Sequence, residues 1–224
     1  RKKPDEIFEF CDKFRKKDRK TPIVVGGTGL YANSLIYSIE YDDIKLDEKY
    51  RNNLMEIANT EEGLKKLYEE AKKIDGKAMK KISPNDKKRI IRILEIYNAT
   101  GKNKTEQEIE SRKKEVKYDY KVFGINMERS LLYERINKRV DIMVKQGLIE
   151  EVKNLIKKYP KFPTAMQAIG YKEIVEYLNN EITKEEAIEK IKQETRRYAK
   201  RQITWFKRIE NLKWLDGLEK TQNN

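Results

Sequence analysis

Thr21-Pro22-Ile23-Val24-Val25-Gly26-Gly27-Thr28-Gly29-Leu30-Tyr31 is the stretch on which the fold class turns. Pro22–Val25 is a short continuous apolar run that stops at paired glycines. Such a run suits a strand covered on both faces, as in a parallel sheet. Leu30, Tyr31, Leu35 and Ile36 then recur at helical spacing, so a helix is expected to begin near Thr28 or Gly29. Upstream, residues 4–17 read as an amphipathic helix with Ile7, Phe8, Cys11 and Phe14 on one stripe. Helix, strand, glycine turn and helix in succession make an α/β pattern. Gly26-Gly27-Thr28-Gly29 would set backbone N–H groups and a hydroxyl at a helix N-terminus, a geometry suited to an anion or a nucleotide sugar-phosphate. The alternative is a tight strand-to-helix turn whose glycines serve backbone freedom alone.

Outward from this corner the pattern changes. From about Asp42 to Lys114 the signals are helical, without a convincing strand. Ser83-Pro84-Asn85-Asp86 reads as a helix start with serine as N-cap, and Gly101 as the stop after Ala99. Ile90, Ile91, Leu94 and Tyr97 are expected to give that helix its buried face. Strand character returns over Tyr120–Asn126. Helices are expected over Arg129–Gln146, closed by Gly147, and from Leu148 to about Lys158, before Pro160 and Pro163 break the chain. Residues 171–179 make a short helix, and Thr183 with Glu186 forms a capping box for a last helix reaching about Arg208. Trp214 falls in a closing segment and residues 219–224 read as a frayed tail. The domain expectation is an α/β core from 1–43 and 115–224, interrupted by a helical insert over 44–114.

Composition narrows the chemistry. The 224 residues carry 51 Lys and Arg against 38 Asp and Glu, a formal charge of +13, so a polyanion is a natural partner. A lysine-rich background would raise the charge in the same way. There is no histidine, which excludes a histidine general base, His-containing metal sites and a Ser-His-Asp triad. The one cysteine, Cys11, cannot form an internal disulfide and suits a reducing cytoplasm. No apolar run approaches the roughly 20 residues of a membrane span, so no membrane partner is expected. No metal-ligand cluster is evident in the sequence.

Four basic constellations stand out. Lys87-Lys88-Arg89-Ile90-Ile91-Arg92 opens a helix, with Lys88 and Arg92 one turn apart on a polar surface that could follow a phosphodiester backbone. Arg135 and Arg139 are likewise one turn apart; arginine forks suit a departing diphosphate, whereas an ion-pair network with Glu134, Asp141 and Glu150 is the ordinary alternative. In Ala168-Ile169-Gly170-Tyr171-Lys172-Glu173 the tyrosine could stack on a base and the lysine reach a phosphate; a glycine turn with a core tyrosine is the alternative. The last helix carries Arg196, Arg197, Lys200, Arg201, Lys207 and Arg208 among Tyr198, Ile203, Trp205 and Phe206, with no acid from Thr195 to Ile209. Basic charge interleaved with aromatics is a nucleic-acid footprint.

In fixed order, TPIVVGGTGLY at 21–31, SPNDKKRIIRILEIYNATGK at 83–102, LLYERINKRVDIMVKQGLIEEV at 131–152 and AIGYKEI with TRRYAKRQITWF within 168–206 resemble the tRNA dimethylallyltransferases. The resemblance covers about Pro22 to Trp214. It implies a P-loop-NTPase-like parallel sheet with an inserted all-helical subdomain. The implied reaction moves a dimethylallyl group from dimethylallyl diphosphate to N6 of the adenosine 3′ to the anticodon, in the cytoplasm, by a monomer using Mg2+. By resemblance, tRNA contacts fall to Thr28, Arg51, Lys88, Arg89, Ile90, Ile91, Arg92 and Ala168, Ile169, Gly170, Tyr171, Lys172 and Glu173. Arg139 and Thr28 are the catalytic candidates, and Arg135 and Arg139 the diphosphate contacts. No G-x-x-x-x-G-K-[ST] occurs in the sequence. The family's phosphate loop and an aspartate acting on N6 are therefore expected upstream of Arg1. Read so, the 224 residues are an N-terminally shortened chain, inactive and poorly soluble alone. A non-catalytic basic RNA-binding module and a P-loop kinase relative acting on a small substrate are the other readings.

Overall fold

The computed structural model describes residues 4–18, 21–38, 47–112, 116, 118–159 and 165–217. They belong to two compact units, 1–120 and 121–224.

The first unit begins with α1 (Pro4–Asp18) packed on α2 (Gly29–Ile36). Thr28 is the N-cap of α2, where a helix start was expected. The strand expected at Pro22–Val25 is not formed. Ile23 and Val25 are 86% and 90% exposed, and the segment makes no ladder among the described residues. An apolar run records a capacity to be covered; whether neighbours lie on both edges is a tertiary matter that the run cannot encode.

Among the described residues, the elements that follow over 48–112 are helices, as the sequence predicts: α3 (Glu48–Ile57), α4 (Glu61–Ile74), α5 (Gly76–Met79), α6 (Lys87–Thr100) and α7 (Lys104–Arg112). Local chemistry fixes the starts. Asp47 accepts the N–H groups of Lys49 and Tyr50, Thr60 that of Gly63 and Asp86 that of Arg89, each relieving an orphan donor. Asp86, not Ser83, therefore caps α6; residues 83–86 make a preceding turn closed by the Asp86 N–H on the Ser83 carbonyl. Gly101 ends α6 in the left-handed conformation. Leu54, Leu64, Leu67, Met79, Ile90, Ile91, Ile93 and Leu94 form the core, with α6 at its centre. Tyr97 is exposed, and Ile93 and Ile96 take the buried places expected of it. Asp75 ties the edge: its carboxylate accepts the Ala78 N–H at 2.9 Å, the Thr105 N–H at 2.8 Å and the Thr105 hydroxyl at 2.6 Å. Burial opposes its charge, but these three donors prevail and hold its pKa below the usual carboxylate value.

The second unit holds β1 (Phe123–Asn126), α8 (Arg129–Lys145), α9 (Leu148–Lys158), a single 3-10 turn (Ala165–Gln167), α10 (Tyr171–Leu178), α11 (Lys184–Phe206) and β2 (Lys213–Asp216). The strands pair in parallel, with Phe123 opposite Lys213 and Asn126 opposite Asp216. Parallel neighbours require a long crossover, which among the described residues holds α8, α9, α10 and α11. The α/β reading with a parallel sheet in a helix-rich chain thus holds, although β2 was expected only as a closing segment. Gly124 is a place of close approach: a Cβ there would lie 2.9 Å from Leu212 Cδ2 and from the Trp214 ring. The core lies among the helices, at Val140, Leu148, Val152, Ile174, Ala187 and Ile191. The Thr183–Glu186 capping box forms reciprocally, at 3.2 Å and 2.7 Å. Pro160, Pro163 and residues 219–224 lie outside the described residues.

Candidate nucleic-acid interface

In the first unit the basic residues of α6 divide by helical position. Ile90 and Ile91, expected among the RNA contacts, are wholly buried, so their side chains serve the core. Lys88 and Arg89 are exposed and Arg92 is partly so. Arg89 pairs with its own N-cap, Nη1 to Asp86 Oδ2 at 3.1 Å. Lys88 has no ion pair among the described residues and is the least committed cation of this face. A shallow depression lined by Ser83, Asn85, Asp86, Lys87 and Lys88 adjoins it.

Arg51 reaches this face from α3. Its Nη1 donates to Glu95 Oε1 at 2.8 Å across the α3–α6 contact. Arg92 Nη1 lies 3.5 Å from the other oxygen of the same carboxylate. Sequence reasoning matched Arg51 and Arg92 to RNA contacts separately and did not see that they share a partner. The available signal was an acid interrupting the apolar run Ile90–Ile96. Burial, then the nearby carboxylates of Glu70 and Glu95, raise the Tyr50 hydroxyl above its ordinary pKa. Thr28, the remaining candidate of this unit, is exposed at the start of α2 and makes no side-chain capping bond, which leaves its hydroxyl open to a ligand.

In the second unit Arg135 and Arg139 are exposed on α8 and paired with no acid among the described residues. Among the described residues the competing ion-pair network does not form: Asp141 takes Lys192 at 2.7 Å and Glu150 takes Lys153 at 3.8 Å. Val140, about 100° around α8 from Arg139, enters the core, while both arginines stay exposed.

The 168–173 segment mixes structural and exposed groups. Gly170 has φ +97°, a conformation that favours glycine, and its N–H donates to the buried Glu173 carboxylate at 2.7 Å. Gly170 and Glu173 therefore shape the turn. Ala168, Ile169 and Lys172 are exposed around it, and Lys172 makes a 3.8 Å pair with Glu176. The Tyr171 hydroxyl donates to Glu151, and that bond, followed by burial, raises its pKa. Its half-buried ring sits beside the core rather than standing free.

On α11 the cations also differ. Arg196 turns inward, donating to Asn137 Oδ1 at 2.7 Å and to Glu189 at 2.9 Å, so it ties α11 to α8. Arg197 pairs with Glu194 at 2.5 Å. Lys200, Lys207 and Arg208 are exposed, and Arg201 lies over the Tyr198 ring. Tyr198 and Trp205 are exposed, so charge and π-face alternate on the surface.

Mg2+ is implied by the resemblance. Among the described residues no three Asp, Glu or Cys side chains converge as ligands for a cation. No helix among the described residues is long and apolar enough to cross a membrane.

A profile of the family described as IPP transferase matches residues 5–209. The chain is similar to a tRNA dimethylallyltransferase of Caldanaerobacter subterraneus subsp. tengcongensis, 52% identical over 87% of this chain and 62% of that protein. It is also similar to one of Thermoanaerobacter sp., 53% identical over 94% of this chain and 70% of that protein. This chain thus spans 62% and 70% of the length of these two curated relatives. Among solved structures, the full-length tRNA isopentenylpyrophosphate transferase of Bacillus halodurans aligns with TM-score 0.59 and 39% identity, covering 96% of this chain and 67% of that one. A eukaryotic dimethylallyltransferase captured acting on tRNA aligns with TM-score 0.71 and 30% identity, covering 95% and 55%.

Proposed function

Because the chain belongs to the IPP transferase family, we propose that the whole protein is a tRNA dimethylallyltransferase. It transfers the dimethylallyl group of dimethylallyl diphosphate to N6 of the adenosine on the 3′ side of the anticodon. The bond formed is N6 to the allylic carbon. The allylic C–O bond breaks, diphosphate leaves with the electron pair, and N6 loses a proton. N6 is a weak nucleophile because its lone pair is delocalised into the ring, so positioning and stabilisation of the leaving group decide the rate.

The observation that carries this reading is the outward-facing pair Arg135 and Arg139, one helical turn apart and without acidic partners among the described residues. Such a pair supplies fixed positive charge where the departing diphosphate develops negative charge, through forked donors that match its oxygens. Arg139 contacts the diphosphate, with Arg135 beside it. Thr28, Arg51, Lys88, Arg89, Arg92 and the exposed members of Ala168–Glu173 hold the anticodon stem-loop. In this reading residues 1–43 and 115–224 make the α/β core, 44–114 the helical insert, Mg2+ is the cofactor of the whole protein, and the protein works as a cytoplasmic monomer.

The test is transfer of labelled dimethylallyl diphosphate to unmodified tRNA by the whole protein, with nucleoside mass spectrometry to locate the group on the adenosine. Label in that nucleoside is the expected result. Whole protein that neither alkylates tRNA nor retains it in dilute salt would overturn the proposal.

A further inference from the structure

Glu95 occupies a place where the surrounding sequence is apolar. It sits in α6 within Ile90-Ile91-Arg92-Ile93-Leu94-Glu95-Ile96 and is only 3% exposed. A buried carboxylate is costly unless it is paired, and a well-packed apolar residue of similar volume often serves stability as well or better. Packing alone therefore gives no reason for an acid here. Its two oxygens are used unequally. Oε1 accepts from Arg51 at 2.8 Å. Oε2 is buried without a hydrogen-bond partner and has only the charge of Arg92, 3.5 Å away. The two guanidinium groups come from helices distant in sequence, and they are 40% and 43% exposed. Each has several N–H donors and turns one toward Glu95, which leaves the rest for solvent or ligand. Two cations share one anion, so the cluster keeps surplus positive charge facing outward. Lys88 stands one turn before Arg92 on the same side of α6.

We propose that Glu95 is a positioning residue: it holds Arg51 and Arg92 side by side as a guanidinium pair for one backbone phosphate of the RNA. Orientation fixed before binding lowers the entropy lost when the phosphate arrives, and a planar fork keeps that advantage best. The inference rests on the tRNA reading above and adds to it how two of its contacts are coupled.

Simple electrostatics and positioning predict opposite signs, which makes the test decisive. Removing a carboxylate from a polyanion-binding face should tighten binding if charge alone matters. Positioning requires the reverse. Unmodified tRNA transcript is titrated with the full chain across a potassium chloride series, using wild type, Glu95→Gln, Arg51→Ala/Arg92→Ala and the triple variant. Expected for Glu95→Gln is about 5–10-fold weaker binding and a log–log salt slope smaller by about one. The same change in the Arg51→Ala/Arg92→Ala background should have no further effect. Wild type lacking salt-dependent retention would defeat the tRNA reading itself. Wild type that binds, with Glu95→Gln equally tight or tighter, would defeat the positioning role alone. Should Glu95→Gln lose its helical circular dichroism, Arg51→Ala and Arg92→Ala decide: their losses must be less than additive, and independent or absent losses overturn the proposal.

Discussion

Two arginines of one unit, chemically identical, should respond to truncation in opposite ways. Arg139 is exposed on α8 with no acidic partner among the described residues. Alanine there removes no ion pair among the described residues and keeps helix propensity, so stability should change by no more than about 0.5 kcal/mol. At about 2–4 °C per kcal/mol for a chain of this size, Tm should move by less than about 2 °C. Catalysis should not be spared. Losing one fixed donor to developing negative charge costs about 2.7–4 kcal/mol, or roughly 10²–10³ in rate. With Arg135 on the same face sharing the load, Arg139→Ala should fall near the lower end and the double variant beyond it. Arg139→Lys should recover part of the loss, because it restores charge but not the fork. Arg196 is the contrast. Its guanidinium bonds Asn137 at 2.7 Å and Glu189 at 2.9 Å, worth about 1 kcal/mol for the first and about 0–1 for the more exposed second. Arg196→Ala should therefore lower Tm by roughly 2–8 °C. The assays are thermal melts by circular dichroism and kcat/KM for the donor in dimethylallyl transfer to unmodified tRNA. Arg139→Ala with activity within twofold of wild type, or melting several degrees lower, would refute the division of roles.

Other outcomes follow from single contacts. Asp75→Ala leaves the Ala78 N–H, Thr105 N–H and Thr105 hydroxyl without their common acceptor; urea melts should show a loss of about 2–4 kcal/mol, with Asp75→Asn retaining part of it. Gly124→Ala places a Cβ 2.9 Å from Leu212 and the Trp214 ring; a loss of about 1–3 kcal/mol is expected, and an unchanged melt would show that the strand can shift freely. The Glu128 carboxyl is pulled from 4.5 to about 2 by the Ser130 hydroxyl, then by the Ser130 and Leu131 N–H groups at the start of α8. Its folded pKa is depressed, so its contribution is intact above about pH 4.5 and disappears as pH falls through about 2. Carbon-detected NMR should find that low midpoint, and Glu128→Gln should flatten this part of the acid stability profile.

Much of the local architecture could be read from residues because its causes are local. The Thr183–Glu186 box, the glycine stop at 101 and the helix break at Gly147 depend on side chains and backbone freedom within one turn. Helix existence over 48–112 followed from apolar spacing, and the basic surface followed from composition. The cap of α6 was misplaced by one turn because Ser83 and Asp86 both carry capping side chains, and only the closed 83–86 turn decides between them. Trp214 pairs into β2 against Gly124 from far along the chain, a contact that four residues of sequence cannot announce.

Residue order alone, then, determined the family motifs, the helical periodicity and the excess of cations, because each is written in spacing or count. Only tertiary structure decided which cations are spent and which are free. Arg196 and Arg139 look equivalent in the sequence, yet one ties two helices together while the other faces solvent. Ile23 and Val25 look like core and stand exposed; Glu95, an acid within an apolar run, lies buried between two arginines. Burial and pairing depend on what distant segments bring alongside, and that information belongs to the folded chain.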